Sequence, residues 1–156
     1  MLVSALAGKE NVLNAYEKQD YNKFVMNVTL GEYTTDSWIG FGFGGETPTS
    51  TWELYDGYVL MNPSVVSVVD LKNIDKSTAA NVQAAGGLFE KLAAGNATIE
   101  IEYVKTAKGN FNVTLKYIFA DKTESEYTWS DISYSNTLPY KYYYLSYQGS
   151  KRSSGS

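Results

Sequence analysis

The chain has 156 residues, of which 44% are hydrophobic and 19% charged, with a formal net charge of −4. This length suits one folded domain, and the composition is too apolar for a disordered chain. The chain contains neither His nor Cys. Their absence excludes Ser–His–Asp and Cys–His catalysis, disulfides, and metal centres built on imidazole or thiolate. The acidic balance argues against nucleic acid as a partner, and no apolar run approaches the roughly 20 residues that cross a bilayer.

Alternating apolar residues predict strands through the first half of the chain. For residues 11–18 the pattern leaves two alternatives open, a helical turn or an irregular segment. The pattern of residues 24–30 predicts the first clear strand. In the next strand, residues 37–43, one face carries Ile39, Phe41 and Phe43, and the other carries Trp38, Gly40 and Gly42. Glycines on one strand face leave room for packed backbone or for a ligand.

Two short strands, residues 55–61 and 65–69, follow on either side of the turn signal Asn62-Pro63. Residues 77–94 are rich in Ala and have helical spacing, which predicts a short helical insert. Gly86-Gly87 divides this insert into two short pieces of helix, and Gly95 is expected to cap its C-terminal end.

The second half predicts a β-meander followed by a last strand. Residues 99–103, 111–119 and 125–129 alternate strictly, and turn residues at 108–110 and 120–123 join them. Residues 140–147 predict the final strand. The polar segment 149–156 is expected to be a flexible tail or a cloning scar. The sequence therefore predicts one domain, residues 1–148, that is mainly all-β: an antiparallel β-sandwich or jelly roll with a short helical insert around 77–94.

The order of these segments resembles a known family. NKFVMNVTL and DSWIGFGFGG lead to TWELYDGYVLMN, and after the insert come NATIEIEYVKTAKGNFNVTLKYIFADKTESEYTWS and LPYKYYYLSYQG. This layout is similar to that of concanavalin A-like sandwiches, and in particular to the carbohydrate-binding modules of secreted bacterial glycan-degrading enzymes. The resemblance implies a two-sheet jelly roll and lectin-like glycan recognition outside the cell or at its surface. The strand WIGFGFGG is also similar to DOMON sandwiches, but a haem-binding form needs side-chain ligands, and this chain has no His.

Aromatic residues near the middle of the chain are the candidate ligand-binding residues. A sugar ring offers a flat C–H face to an aromatic ring, and its hydroxyls pair with polar groups at the edge. The candidates are Trp52, Tyr55, Asp56, Tyr58 and Trp38. The alternative is structural: Tyr58 packs the core, Trp52 covers a sheet edge, and the glycines beside Trp38 only accommodate a core indole.

Carboxylates supply the remaining candidates. Glu100 and Glu102 share one face of a strand, as the acid pair of a retaining glycosidase could. Such a pair is more typical of a solvated outer face, and we assign no catalytic residue. A structural Ca²⁺ held by loop oxygens is an open alternative to a domain without cofactors; its candidate ligands are Asp20, Asp36, Asp56, Asp70 and Asp75.

These observations lead to three functional hypotheses. The first is a non-catalytic carbohydrate-binding module that recognises a polysaccharide by aromatic stacking and polar edge contacts. The second is a structural or adhesive sandwich that packs against a neighbouring domain or a protein partner. The third is a carboxylate-dependent glycoside hydrolase. In the first hypothesis, the partner is a glycan, together with neighbouring domains of a larger chain, and membrane insertion is not expected.

Overall fold

Two antiparallel β-sheets pack face to face in the computed structural model, which describes residues 3–5, 8–17, 20–45, 57–70, 81–132, 140–149 and 153–155. Sheet I has the strand order β1 (Val3–Ala5), β12 (Ser153–Gly155), β3 (Tyr21–Thr29), β8 (Ala97–Lys105), β9 (Phe111–Ile118), β10 (Glu124–Ile132). Sheet II has the order β2 (Gly8–Glu17), β11 (Tyr140–Gly149), β4 (Trp38–Gly45), β5 (Gly57–Met61), β6 (Val65–Asp70), β7 (Val82–Ala84). The predicted antiparallel sandwich is confirmed.

Aromatic rings from both sheets meet in the core. The rings of Phe24 on β3 and Phe41 on β4 lie 5.0 Å apart between centroids, and those of Phe43 and Tyr103 lie 4.8 Å apart. Phe41, Phe43 and Tyr103 are buried, and full burial of such a side chain stabilises the fold by about 1.5–3 kcal/mol. The two sheets are therefore held together mainly by apolar contacts between inward-facing alternate residues.

The predicted meander is confirmed as β8, β9 and β10, which pair in antiparallel register. Gly109 has φ 85° in the first connecting turn and Lys122 has φ 70° in the second. Asp121 fixes the second turn, because its carboxylate accepts hydrogen bonds from the backbone N–H and the hydroxyl of Thr123. These bonds lower the pKa of the Asp121 carboxyl group.

Three predictions about local structure are wrong or incomplete. Residues 11–17 belong to strand β2, which pairs with β11 along its whole length. The conformation of this segment is therefore determined by pairing with a strand that is distant in the sequence. The insert contains strand β7 before its helix, because β7 pairs with β6. The only helix in the described ranges, α1, runs over Leu88–Ala93 and begins after Gly87, whose φ is 69°. It is too short to span a bilayer.

Gly95 does not act as a left-handed helix cap. The cap residue is Ala94, which has ordinary right-handed backbone angles. A Cβ at position 95 would lie 2.8 Å from the Cβ of Ala120, so the close approach of the helix end to the β9–β10 turn favours glycine there.

At the C-terminal end of the chain, three residues of the segment expected to be a tail form β12, which pairs with β1 and β3.

One side of the sandwich is joined by side-chain hydrogen bonds between the two edge strands. The indole N–H of Trp129 on β10 donates to the carbonyl of Asn81 at 2.8 Å, and the amide of Gln83 on β7 donates to the carbonyl of Thr128 at 3.1 Å. Beyond Trp129 the register of β10 shifts before Ile132, and Asp131 has φ 61°. This irregularity is a β-bulge on an edge strand.

Gly57 is a position where a side chain would collide with the core. A Cβ there would lie 2.5 Å from the carbonyl oxygen of Val69 and 2.8 Å from Cζ of Phe43. We expect Gly57→Ala to lower the free energy of unfolding by about 1–3 kcal/mol, because the backbone must move to relieve the clash. Urea denaturation measures this change in the free energy of unfolding. Gly86→Ala is the control, since a Cβ there meets nothing within 4 Å; equal losses in both variants would contradict the steric explanation.

Tyr117 is expected to destabilise the domain at alkaline pH. Its hydroxyl is buried without a hydrogen-bond partner among the described residues, and burial raises the pKa of this phenol well above its ordinary value of 10.0. In the unfolded chain the phenol ionises as the pH rises through about 10, so stability falls there while the folded group stays neutral. Tyr117→Phe should leave the free energy of unfolding unchanged or raise it by up to about 1 kcal/mol at pH 7. Its advantage should grow at about pH 10.5; urea denaturation at both pH values checks this.

Candidate functional site

The outer face of sheet II carries the two predicted site residues that the structure describes. Ile39, Phe41 and Phe43 are buried in the core, so the period-2 alternation of β4 turns Trp38, Gly40 and Gly42 outward. On the neighbouring strand β5, Tyr58 and Leu60 also face outward. The register pairs Gly42 with Tyr58 and Gly40 with Leu60. The predicted separation of Ile39, Phe41 and Phe43 from Trp38, Gly40 and Gly42 is confirmed, and the structure identifies the first group as the core face; the alternative of a core indole at Trp38 is wrong.

The indole of Trp38 lies above Gly40. Atoms Cζ3 and Cε3 of the indole are 3.4 Å and 3.6 Å from the position that a Cβ of Gly40 would occupy. A methyl group of Leu60 is 3.8 Å from the same position. Trp38 is half-buried, and it lies outside the cluster that fills the space between the sheets. The glycine therefore accommodates the indole on the outer surface of the sheet and not in the core.

Small polar residues continue this face on the flanking strands. The register pairs Ser146 of β11 with Gly40, and Ser67 of β6 with Leu60. Ser146 is 1% exposed and Ser67 is 7% exposed, whereas Tyr58 and Gln148 are half-buried. Gln148 is paired with Trp38. On this face Trp38 lies over Gly40, Gln148 is the register partner of Trp38, and Tyr58 lies on β5 opposite Gly42.

The other predicted site residues cannot be placed against this face. Trp52, Tyr55 and Asp56 lie outside the described residues. Trp38 and Tyr58 lie on the same face of adjacent strands, but Tyr58 is in register with Gly42, four positions along β4 from Trp38, and their role in binding stays a prediction.

The outer face of sheet I has a different character. Glu100 forms an ion pair with Lys23, with Nζ and Oε2 3.2 Å apart, and the resulting hydrogen bond raises the pKa of the lysine. Lys116 forms a second pair with Glu124 at 3.5 Å. Cross-strand pairs of opposite charge are typical of a solvated sheet face. Glu100 and Glu102 therefore fit the structural interpretation better than a catalytic pair.

Tyr21 is a surface aromatic that the sequence predictions missed. Its side chain is 48% exposed at the start of β3, and it is paired in register with Val104, which is 43% exposed. A hydrogen bond from its hydroxyl to Glu102 raises the pKa of the phenol. Extending the alternation of β3 back by two positions from Lys23 would have placed Tyr21 on the polar face.

The candidate calcium ligands do not form a cluster in the described part of the chain. Asp20 pairs with Lys105 at 3.4 Å, and Asp36 lies in an exposed turn. Asp56 and Asp75, and the side chain of Asp70, lie outside the described residues. Within those limits, no group of three or more acidic side chains could hold a metal ion, so the calcium site remains a sequence-based hypothesis.

A hollow of about 190 Å³ lies where helix α1 approaches the β9–β10 turn. Lys91 lies on one side, with Nζ 5.4 Å from the centroid of the Phe119 ring. On the other side the Asp121 carboxylate is already bonded to Thr123. Lys91 and Asp121 therefore each have a partner within the lining of the hollow, Phe119 and Thr123, and we assign it no ligand.

Comparison with known proteins identifies the fold. No family model matches the chain, and no curated protein matches it. Among solved structures, the Emp47p carbohydrate recognition domain aligns with a TM-score of 0.55 and 13% identity, over 99% of this chain and 84% of that chain. The metal-free form of lectin I-B4 from Griffonia simplicifolia aligns with a TM-score of 0.56 and 10% identity, over 97% and 81%. The Bauhinia forficata lectin in complex with GalNAc aligns with a TM-score of 0.53 and 11% identity, over 91% and 72%.

The chain therefore has a concanavalin A-like fold, as its sequence layout indicated. At these identities the likeness establishes the fold alone. The structures named above are lectins or carbohydrate recognition domains, so they support the broad resemblance and not its bacterial qualifier.

The contact between Trp38 and Gly40 predicts how substitutions at the glycine behave. In Gly40→Ala the added methyl would meet the indole at about ordinary contact distance, 3.4 Å, so the indole should stay in place. In Gly40→Val the branched side chain occupies the space of the ring and should displace it. Near-UV circular dichroism should change for the valine variant and not for the alanine variant. Identical spectra for all three proteins would contradict the placement of the indole.

Proposed function

We propose that this domain is a non-catalytic carbohydrate-binding module that acts outside the cell or at its surface and holds a glycan on the outer face of sheet II. The observation that carries the proposal is the indole of Trp38, which lies above Gly40 on the outer face of sheet II; Tyr58 lies on the same face of the next strand, in register with Gly42. The similarity in fold to lectins supports the same assignment.

The mechanism follows from the chemistry of the face. Packing over Gly40 restrains the indole before a ligand arrives, so binding costs less side-chain entropy than it would for a mobile ring. The C–H face of a sugar can then stack on an aromatic side chain. The amide of Gln148, which is half-buried next to Trp38, offers both a donor and an acceptor to ring hydroxyls.

Single-site binding of this kind is expected to be weak. The proposed contacts are one aromatic ring and one amide, and so few contacts set against the entropy cost of association give a low affinity. Several modules on one chain, or a module attached to another glycan-binding domain, would raise the overall affinity by increasing the effective concentration. Neighbouring domains are therefore part of the proposal.

Affinity electrophoresis in gels that contain soluble polysaccharides tests the proposal. We expect at least one polysaccharide to retard the wild type, and Trp38→Ala to reduce the retardation about tenfold or more, if a sugar face gains from one aromatic ring about as much as a stacked nucleic-acid base does, about 1–3 kcal/mol. Trp52→Ala and Tyr58→Ala test the other predicted aromatics. Tyr21→Ala is the matched control, since it removes an exposed aromatic side chain from the opposite sheet.

The variants separate the candidate surfaces. Loss of retardation in Tyr21→Ala but not in Trp38→Ala would move the site to the outer face of sheet I. Absence of retardation on plant, algal, fungal and animal glycans would reject the carbohydrate proposal. It would favour the structural or adhesive function, for which Tyr21, Val25 and Val104 provide exposed apolar surface on sheet I. Far-UV circular dichroism confirms that each variant is folded.

A further inference from the structure

Three segments of the chain match the acceptor sequence for N-linked glycosylation, which is Asn followed by any residue except Pro and then by Ser or Thr. They begin at Asn27, Asn96 and Asn112, and each ends in Thr. Asn27 lies on β3, Asn112 lies on β9, and Asn96 immediately precedes β8. All three asparagines are exposed, so a bulky glycan can be attached to them without entering the core.

The pleat of sheet I turns the three acceptor asparagines to one face. Their neighbours in the sequence, Met26, Ala97 and Val113, are buried in the core, and successive side chains along a strand point to opposite faces. The asparagines therefore lie on the outer face of sheet I, and so do the threonines two positions later. This face is opposite the candidate site on sheet II.

Two of the acceptor sequences lie side by side on neighbouring strands. The register pairs Asn27 with Thr98, whose hydroxyl donates a hydrogen bond to Oδ1 of Asn27 at 3.2 Å. The hydroxyl of Thr29 likewise donates to Oδ1 of Asn96. N-linked glycans are attached to Nδ2, so both hydrogen bonds use an atom that the modification leaves unchanged.

The third acceptor has the same arrangement and an apolar neighbour. Oδ1 of Asn112 accepts a hydrogen bond from the backbone N–H of Asp131 at 3.1 Å. The register partner of Asn112 is Val104, which is 43% exposed. Val25 is 51% exposed and lies two positions before Asn27 on the same face of β3. Glycans on Asn27 and Asn112 would therefore stand next to exposed apolar side chains and shield them from solvent.

We infer that the outer face of sheet I is a glycosylated face, with N-linked glycans on Asn27, Asn96 and Asn112 that cover Val25 and Val104. The donor class is a lipid-linked oligosaccharide diphosphate. The anomeric C–O bond to the diphosphate breaks, an anomeric C–N bond to Nδ2 forms, and Nδ2 releases one proton as the lipid diphosphate leaves. The inference requires the proposed location outside the cell, because these acceptors are used in secreted proteins, but it does not require that the domain binds carbohydrate.

Mass spectrometry of the whole chain, secreted by a eukaryotic cell, tests the modification. We expect the wild type to lose the mass of three glycans on treatment with peptide N-glycosidase, and peptide mapping identifies each site. Replacing the threonine of an acceptor by alanine should remove one glycan, whereas replacing it by serine preserves the acceptor sequence and should keep the glycan. The variants are Thr29→Ala, Thr98→Ala and Thr114→Ala, with Thr29→Ser, Thr98→Ser and Thr114→Ser as matched controls.

Hydroxyl-radical footprinting tests whether the glycans cover the apolar residues. Oxidation of Val104 should rise about twofold or more in Thr114→Ala relative to Thr114→Ser, because the glycan beside it is lost, while oxidation of Val25 stays the same. Thr29→Ala should have the reverse effect relative to Thr29→Ser. Val82 is the internal control, since it is 46% exposed on β7 of the other sheet.

The outcomes decide the modification and the cover separately. A secreted wild type without glycans, or glycans that persist in the alanine variants, would overturn the inference. Equal oxidation of Val25 and Val104 in the alanine and serine variants would overturn the cover. Polysaccharide retardation is not among these readouts, so a failure of the proposed binding function is distinguishable from a failure of this inference.

Discussion

The placement of the candidate site depends on the packing of β4 against sheet I. Phe41 meets Phe24 and Phe43 meets Tyr103 across the core, so the register of β4 is fixed by large buried rings. Side chains alternate along a strand, and a slip of one residue would bury Trp38 and expose the phenylalanines. The core contacts therefore determine that Trp38, Gly40 and Gly42 lie on the outer surface.

The same constraint explains what the sequence could predict. Strict alternation in residues 37–43 and within 99–129 correctly separated the two faces of each strand, because one face of each strand is apolar enough to require burial. Residues 11–17 gave no such pattern, since their strand is defined by pairing with distant β11. Strand β7 has only three residues, Val82–Ala84, too few for a periodic signal inside an Ala-rich segment.

The candidate site was predictable in part. The glycines beside Trp38 indicated a close neighbour on that face, and the structure identifies this neighbour as the indole itself. The sequence could not predict which residues of the neighbouring strand lie next to the indole. Ser146 and Gln148 come from β11, more than 100 positions further along the chain. Their approach to β4 depends on the topology of sheet II, and local patterns do not encode it.

The two outer faces also show how the domain divides its chemistry. On sheet I, Lys23 and Lys116 pair with Glu100 and Glu124 across strands, and such exposed pairs keep that face hydrated at little electrostatic cost. On sheet II the described surface combines aromatic and small residues, a composition that favours contact over hydration. The division places the solubilising residues and the candidate recognition residues on opposite sides of one sandwich.

The bulge in β10 would have a consequence for a domain used as repeated or tethered modules, as proposed here. Edge strands of neighbouring domains can add to one another by backbone pairing, and this is a route to fibrous aggregation. In β10 the register shift before Ile132 and the positive φ of Asp131 interrupt the regular row of donors and acceptors, while the amide of Gln83 occupies the carbonyl of Thr128. Identical domains crowded together on one polymer would therefore be less prone to join along this edge, and each would remain an independent unit.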